Sequence, residues 1–132
     1  MAHSVAVPEG LRRALERLLG ASVAQVRVFE HSWYARLHGR RAVATTRRER
    51  IYLRGSAGEF FADPRLMLHE YCHVVHQWRG GRLTVARYLA ECLRRGYWNN
   101  RFEIEARAFA EQHAAQLHAL LAAAQPSSAS RR

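Results

Sequence analysis

A chain of 132 residues with 48% apolar content can bury one modest core, so one globular domain is expected over residues 1–125, followed by a disordered tail at 126–132. No apolar run approaches the roughly 18 residues of a membrane span, which excludes a membrane-spanning helix. The formal net charge of +10 invites a nucleic-acid partner, but it rests on 21 arginines and no lysine, a bias that resembles a GC-rich genome, and the arginines are spread without the aromatic interleaving of a base-stacking platform.

Residues 1–8 lack a charged segment followed by an apolar one, so no signal peptide is expected. Residues 8–19 place Leu11, Leu15, Leu18 and Leu19 on one helical face, with Gly20 to end it. Residues 23–29 alternate apolar and polar and predict a strand, and residues 32–38 a helical turn closed by Gly39. Residues 42–45 and 51–54 predict an antiparallel pair joined by Arg47-Arg48-Glu49-Arg50. With Arg40 and Arg41 this segment is the densest charge cluster; it suits an acidic peptide or anionic polymer, or a solvated edge that blocks sheet pairing. A loop at 55–61 leads to a helix opened by Asp63 as N-cap and Pro64 in the first helical position, and stopped by Gly80-Gly81. Helices at 83–95, ended by Gly96, and at 101–124 complete an α+β domain: a three-stranded meander beside a helical layer. Cys72 and Cys92 fall in separate predicted helices and read as reduced, buried small residues, as in a cytoplasmic protein.

The chemistry concentrates in His69-Glu70-Tyr71-Cys72-His73, an H-E-x-x-H run inside the predicted helix that reaches Trp78. Four residues apart on a helix, His69 and His73 share a face and can reach one ion, while Glu70 sits about 100° further round, where it can hold a water without being a ligand. That is the geometry of a Zn²⁺ peptidase, in which the metal lowers the pKa of its water to roughly 7 and a carboxylate takes the proton. A third protein ligand is needed, and the last helix offers Glu103 and Glu105. Its apolar stripe of Phe102, Ala106, Phe109, Ala110, His113, Leu117 and Leu120 places Glu103 nearer the inward face, with Glu105 on the other flank. The competing role for Glu103 is to fold back on the helix N-terminus below an Asn100 cap. His76, Tyr88, Tyr97 and Arg101 are unranked candidates for stabilising the transition state, and His76 is also a candidate supporting or alternative ligand. The strand Ile51-Tyr52-Leu53-Arg54 is expected to be the edge on which an extended peptide adds.

The segment from Leu18-Leu19-Gly20 through Val26-Arg27-Val28 and Ile51-Tyr52-Leu53 to Leu68-His69-Glu70-Tyr71-Cys72-His73-Val74-Val75-His76-Gln77 resembles the core domain associated with extracellular contractile injection systems. The resemblance covers roughly residues 11–80. It implies a bacterial zinc metallopeptidase with His69 and His73 as zinc ligands and Glu70 as catalytic carboxylate. Tyr71-Cys72 stands where the family commonly has Leu-Thr, and His76-Gln77 where it commonly has Gln-Gln; both departures bear on substrate preference. Glu103-Ile104-Glu105-Ala106-Arg107-Ala108-Phe109-Ala110 also resembles the antirepressor-cleaving peptidases of mobile elements. The expectation is thus a compact zincin-like, gluzincin-type domain with a small antiparallel or mixed sheet, binding Zn²⁺ through His69, His73 and Glu103. Its partners would be a peptide or protein substrate and an injection-system component, in the cytoplasm or exported without a signal peptide. The alternatives are a catalytically silent binding module of a secretion apparatus and an Arg-rich nucleic-acid binder.

Overall fold

The computed structural model describes residues 3–37 and 43–124. Expectations placed on residues 38–42, including Arg40, Arg41 and the first residue of a predicted strand, and on the tail at 126–132 lie outside the described residues. The chain is α+β, with four short strands and a larger helical part. In order it forms β1 (His3–Val5), α1 (Glu9–Leu19), β2 (Arg27–Glu30), α2 (Trp33–Leu37), β3 (Ala44–Arg47), β4 (Arg50–Leu53), α3 (Ala57–Phe61), α4 (Pro64–Cys72), a π-helix (His73–Trp78), α5 (Val85–Arg95) and α6 (Arg101–Ala124). Among the described residues no helix is long and apolar enough to cross a membrane.

The sheet order is β1-β2-β4-β3, with β2 and β4 parallel and the outer pairs antiparallel. The expected three-stranded meander is therefore corrected in two ways. His3–Val5 adds a strand that the sequence pattern does not announce, and β2 pairs with β4 instead of β3. Burial explains the second point. Val28 of β2 and Ile51 and Leu53 of β4 are fully buried, so these strands take the centre, whereas Ala-Thr-Thr-Arg of β3 has three half-buried residues and an exposed Arg47 and goes to the edge. The strand expected to receive a peptide, Ile51-Tyr52-Leu53-Arg54, is thus interior, and β3 holds the open edge beside the helices.

The core lies between the Val28, Ile51 and Leu53 face of the sheet and α1, α3, α4 and α6, filled by Leu15, Phe60, Met67, Tyr71 and Leu117. Gly20 closes α1 in the left-handed region at φ 74°, its N–H donating to Glu16 O at 2.9 Å. The segment expected as a loop at 55–61 contains α3, capped by Ser56, whose Oγ accepts from Glu59 N. Asp63 caps α4 as expected, accepting from Leu66 N at 3.1 Å, with Pro64 in the first turn. The helix then changes pitch: from His73 it widens into a π-helix, with Arg79 N bonded to Val74 O at 3.1 Å.

Helix α6 lies along α4, and the fully buried Ala106 and nearly buried Ala110 keep the helices close. That approach carries the first turn of α6 to His69 and His73. Ala106→Leu would force the helices apart: unfolding in urea should show a loss of about 1–3 kcal/mol, the usual cost of overpacking a filled core. An unchanged midpoint would show that this contact has room to spare.

Candidate metal centre

His69, Glu70 and His73 project from the last turns of α4 and the start of the π-helix, and Glu103 from the first turn of α6. Glu103 does not fold back on its own helix. Asn100 Oδ1 accepts from Phe102 N at 2.9 Å and Glu91 Oε1 from Arg101 N at 3.3 Å, so the first turn of α6 is capped without Glu103, whose carboxylate is free to reach α4. Its Oε1 lies 2.8 Å from His69 Nε2 and 3.2 Å from His73 Nε2. The two imidazole rings meet nearly edge to face, 4.9 Å apart. Glu70, His73 and Glu103 are buried.

Side chains behind this cluster hold it in place. His73 Nδ1–H donates to Gln77 Oε1 at 2.6 Å, which turns Nε2 toward Glu103. Gln77 is completely buried, and its Nε2 donates to Phe102 O at 2.9 Å and to Glu105 Oε1 at 3.3 Å, tying the π-helix to α6. Tyr88 of α5 donates its hydroxyl to Glu103 Oε2 at 2.6 Å. The wider turn of the π-helix sets Gln77 beneath His73 and swings His76 aside.

Burial raises the pKa of Glu70, and the two histidines only partly oppose that effect. Burial alone would depress His73, but its bond to Glu103, the charges of Glu103 and Glu70, and the bond to Gln77 push it up to about 9. Glu103 is held well below the usual carboxylate range: burial acts against this, and the bonds from His69, His73 and Tyr88 outweigh it.

Of the two carboxylates weighed from the sequence, the structure brings Glu103 to the histidines and sends Glu105 elsewhere, to Arg82 at 2.7 Å and to Gln77. His76 is not at the cluster: its Nε2–H donates to Leu19 O at 3.1 Å and its ring packs on Phe109. Arg101 is exposed, lying over the Phe102 ring and near Glu91. Tyr88 is occupied by Glu103, whereas Tyr97 borders two cavities that also touch Glu70. Cys72 is buried and Cys92 half-buried, and both are free thiols. The roles of Gln77 and of Tyr88 as a brace escaped sequence reasoning. The four-residue spacing of His73 and Gln77 was the available signal for the first; Tyr88, on another helix, left none.

The donor set suits a divalent ion of borderline softness such as Zn²⁺: two imidazole nitrogens and one carboxylate oxygen converge. Bonds of about 2.0–2.2 Å in a tetrahedral site put neighbouring ligand atoms roughly 3.3–3.6 Å apart; the 3.2 Å from Glu103 Oε1 to His73 Nε2 is near that range, and the 2.8 Å to His69 Nε2 is shorter. A second observation agrees: Glu70 Oε2 is buried and has no hydrogen-bond partner among the described residues. Ligand atoms of His69, Glu70 and His73 all lie within 4.8 Å of one another, so the Glu70 carboxylate is also close to the two imidazoles.

The eCIS core domain family matches residues 6–81 of this chain. The chain belongs to that family. Membership associates it with contractile injection systems, as the resemblance implied. No curated protein and no solved structure matches the chain. The matched segment of this eCIS core domain ends before α5 and α6, so Tyr88, Tyr97 and Glu103 are contributed from beyond it.

The cluster dictates a pH dependence in chelator-treated protein. His73 has a folded pKa raised from 6.5 to about 9, so its stabilisation is complete below 6.5 and is lost as pH rises through 9. Glu103 is lowered from 4.5, so its share is present above 4.5 and lost as pH falls through its depressed folded value. The urea midpoint should fall between pH 6.5 and 9, and Glu103→Gln should flatten that fall. A midpoint with the same slope in the variant would contradict the pairing.

Proposed function

We propose that this eCIS core domain is a zinc-dependent peptidase, with His69, His73 and Glu103 holding the ion and Glu70 as general base. The observation that carries this reading is the convergence of His69 Nε2, His73 Nε2 and Glu103 Oε1 beside the unpartnered Glu70 Oε2. Zn²⁺ held there supplies a water with a pKa near 7 and polarises a carbonyl.

The side chains do the rest of the work. Glu70 takes the proton on its carboxylate, whose buried Oε2 has no hydrogen-bond partner among the described residues. Burial raises its pKa, which makes it a stronger base than a surface carboxylate and its conjugate acid a suitable donor to the leaving amine. Tyr88 fixes Glu103 through Oε2 and so aims Oε1 at the histidines. Gln77 fixes the His73 ring. Tyr97 is the donor best placed for charge developing on the carbonyl oxygen, since it borders the cavities on both sides of Glu70. Burial and the neighbouring carboxylates push its hydroxyl up to about 12, so it remains a proton donor at neutral pH.

Glu70→Gln keeps the size of the side chain and removes its basicity. Zinc content and urea midpoint should be preserved, while cleavage of a random peptide mixture, followed by mass spectrometry, falls about 10²-fold or more. Wild-type protein that holds zinc but cleaves nothing would favour the silent binding module.

A further inference from the structure

Three cavities lie in a row along the open edge of β3. The first, about 430 Å³, runs from Val43 and Ala44 to His69 and Arg107. The second, about 380 Å³, follows Ala44–Arg47 and is walled by Trp78, Leu83, Val85 and Leu89, with Glu70 and His73 at its floor. The third, about 410 Å³, lies at Arg47 and Arg48. Adjacent cavities share walls, Ala44 and Tyr97 on one side and Arg47 and Trp78 on the other, so together they form one cleft with the proposed reaction centre inside it. Among the described residues β3 pairs only with β4, so its outer backbone groups can receive an added strand along this cleft.

The third cavity opens at an arginine cluster that the chain does not neutralise. The sheet register sets Arg27 opposite Arg50 and Arg50 opposite Arg47, and Arg48 occupies the adjoining turn. Like charges in paired positions destabilise a sheet. Glu49, the nearest carboxylate in sequence, is committed to Arg79 at 2.8 and 2.9 Å. Among the described residues, which include every Asp and Glu of the chain, no carboxylate pairs with Arg27, Arg47, Arg48 or Arg50.

We infer that the cleft takes an extended peptide whose large apolar side chain fills the central cavity and whose carboxylates lie against Arg47 and Arg48. This names the substrate class for the peptidase reading and rests on it for the position of the hydrolysed bond. A peptide fits better than a nucleic acid, because the carboxylates of Glu70 and Glu103 line the central cavity and repel a phosphate backbone. Val85 and Leu89 come from α5, beyond the segment shared with the family, so the preference belongs to this chain's own C-terminal half.

The test is equilibrium binding of labelled ten-residue peptides to the chelator-treated chain, read by fluorescence anisotropy. The peptides carry Phe or Gly at the centre and three Glu or three Lys, on either side in separate peptides. A Phe peptide with Glu on one side should bind best. Replacing Phe by Gly should weaken it about tenfold or more, the scale of burying an aromatic side chain. Replacing Glu by Lys should weaken it similarly at low salt, and added salt should erase that difference. Leu89, 56% exposed, can be changed without unfolding the core: Leu89→Asp should abolish the Phe preference alone, and Arg47→Ala with Arg48→Ala the Glu preference alone. Equal binding of Phe and Gly peptides, equal binding of Glu and Lys peptides, or no binding would overturn the inference. So would tighter binding of an oligothymidylate that depends on Arg47 and Arg48. Zinc-loaded protein that leaves its preferred peptide intact would instead sink the peptidase reading while the binding preferences stand.

Discussion

A carboxylate taken out of water is tolerable only when donors surround it, and Glu103 is a buried carboxylate held between two imidazoles and a phenol. Much of the helical layer follows from that requirement. Helix α6 must approach α4 closely, which the small Ala106 and Ala110 permit. Asn100 must cap α6 so that Glu103 is released from that task. Helix α5 must bring the Tyr88 hydroxyl across to Oε2. The centre is therefore assembled from both halves of the chain, although only the first half carries the family match.

The π-helix is the second constraint. Had α4 continued with regular pitch, His76 and Gln77 would share the polar arc of His69 and His73. The wider turn separates them: Gln77 goes under His73 and inward to α6, and His76 outward to Leu19. The same segment places Trp78 Nε1 within 3.1 Å of Thr46 Oγ1, anchoring the edge strand β3 over the site. One change of pitch thus orients a ring, removes a competing imidazole and fixes one wall of the cleft.

Helix positions were legible in the sequence because their signals are local: Asp63 and Pro64 open α4, Gly20 closes α1, and the apolar stripe of α6 points Glu103 inward. Sheet order was not legible. Strands of four residues or fewer carry too little pattern to name their neighbours, so the parallel pairing of β2 with β4 and the short β1 went unread. The open edge was assigned to the wrong strand for the same reason. The π-helix leaves no compositional trace, which is why His76 stood as a candidate beside His73. The arginine row also depends on pairing: Arg47 and Arg50 are neighbours in sequence, but Arg27 joins them only through the register.

The central claim is that Glu103, and not Glu105, completes a site with His69 and His73. The most direct measurement is zinc affinity of wild type, Glu103→Ala and Glu105→Ala after chelation and reloading, with urea unfolding as a check on fold. One zinc per chain is expected in wild type, a large loss of affinity in Glu103→Ala, and little change in Glu105→Ala, whose carboxylate is paired with Arg82. Stoichiometric zinc retained with wild-type affinity in a folded Glu103→Ala variant would contradict the account.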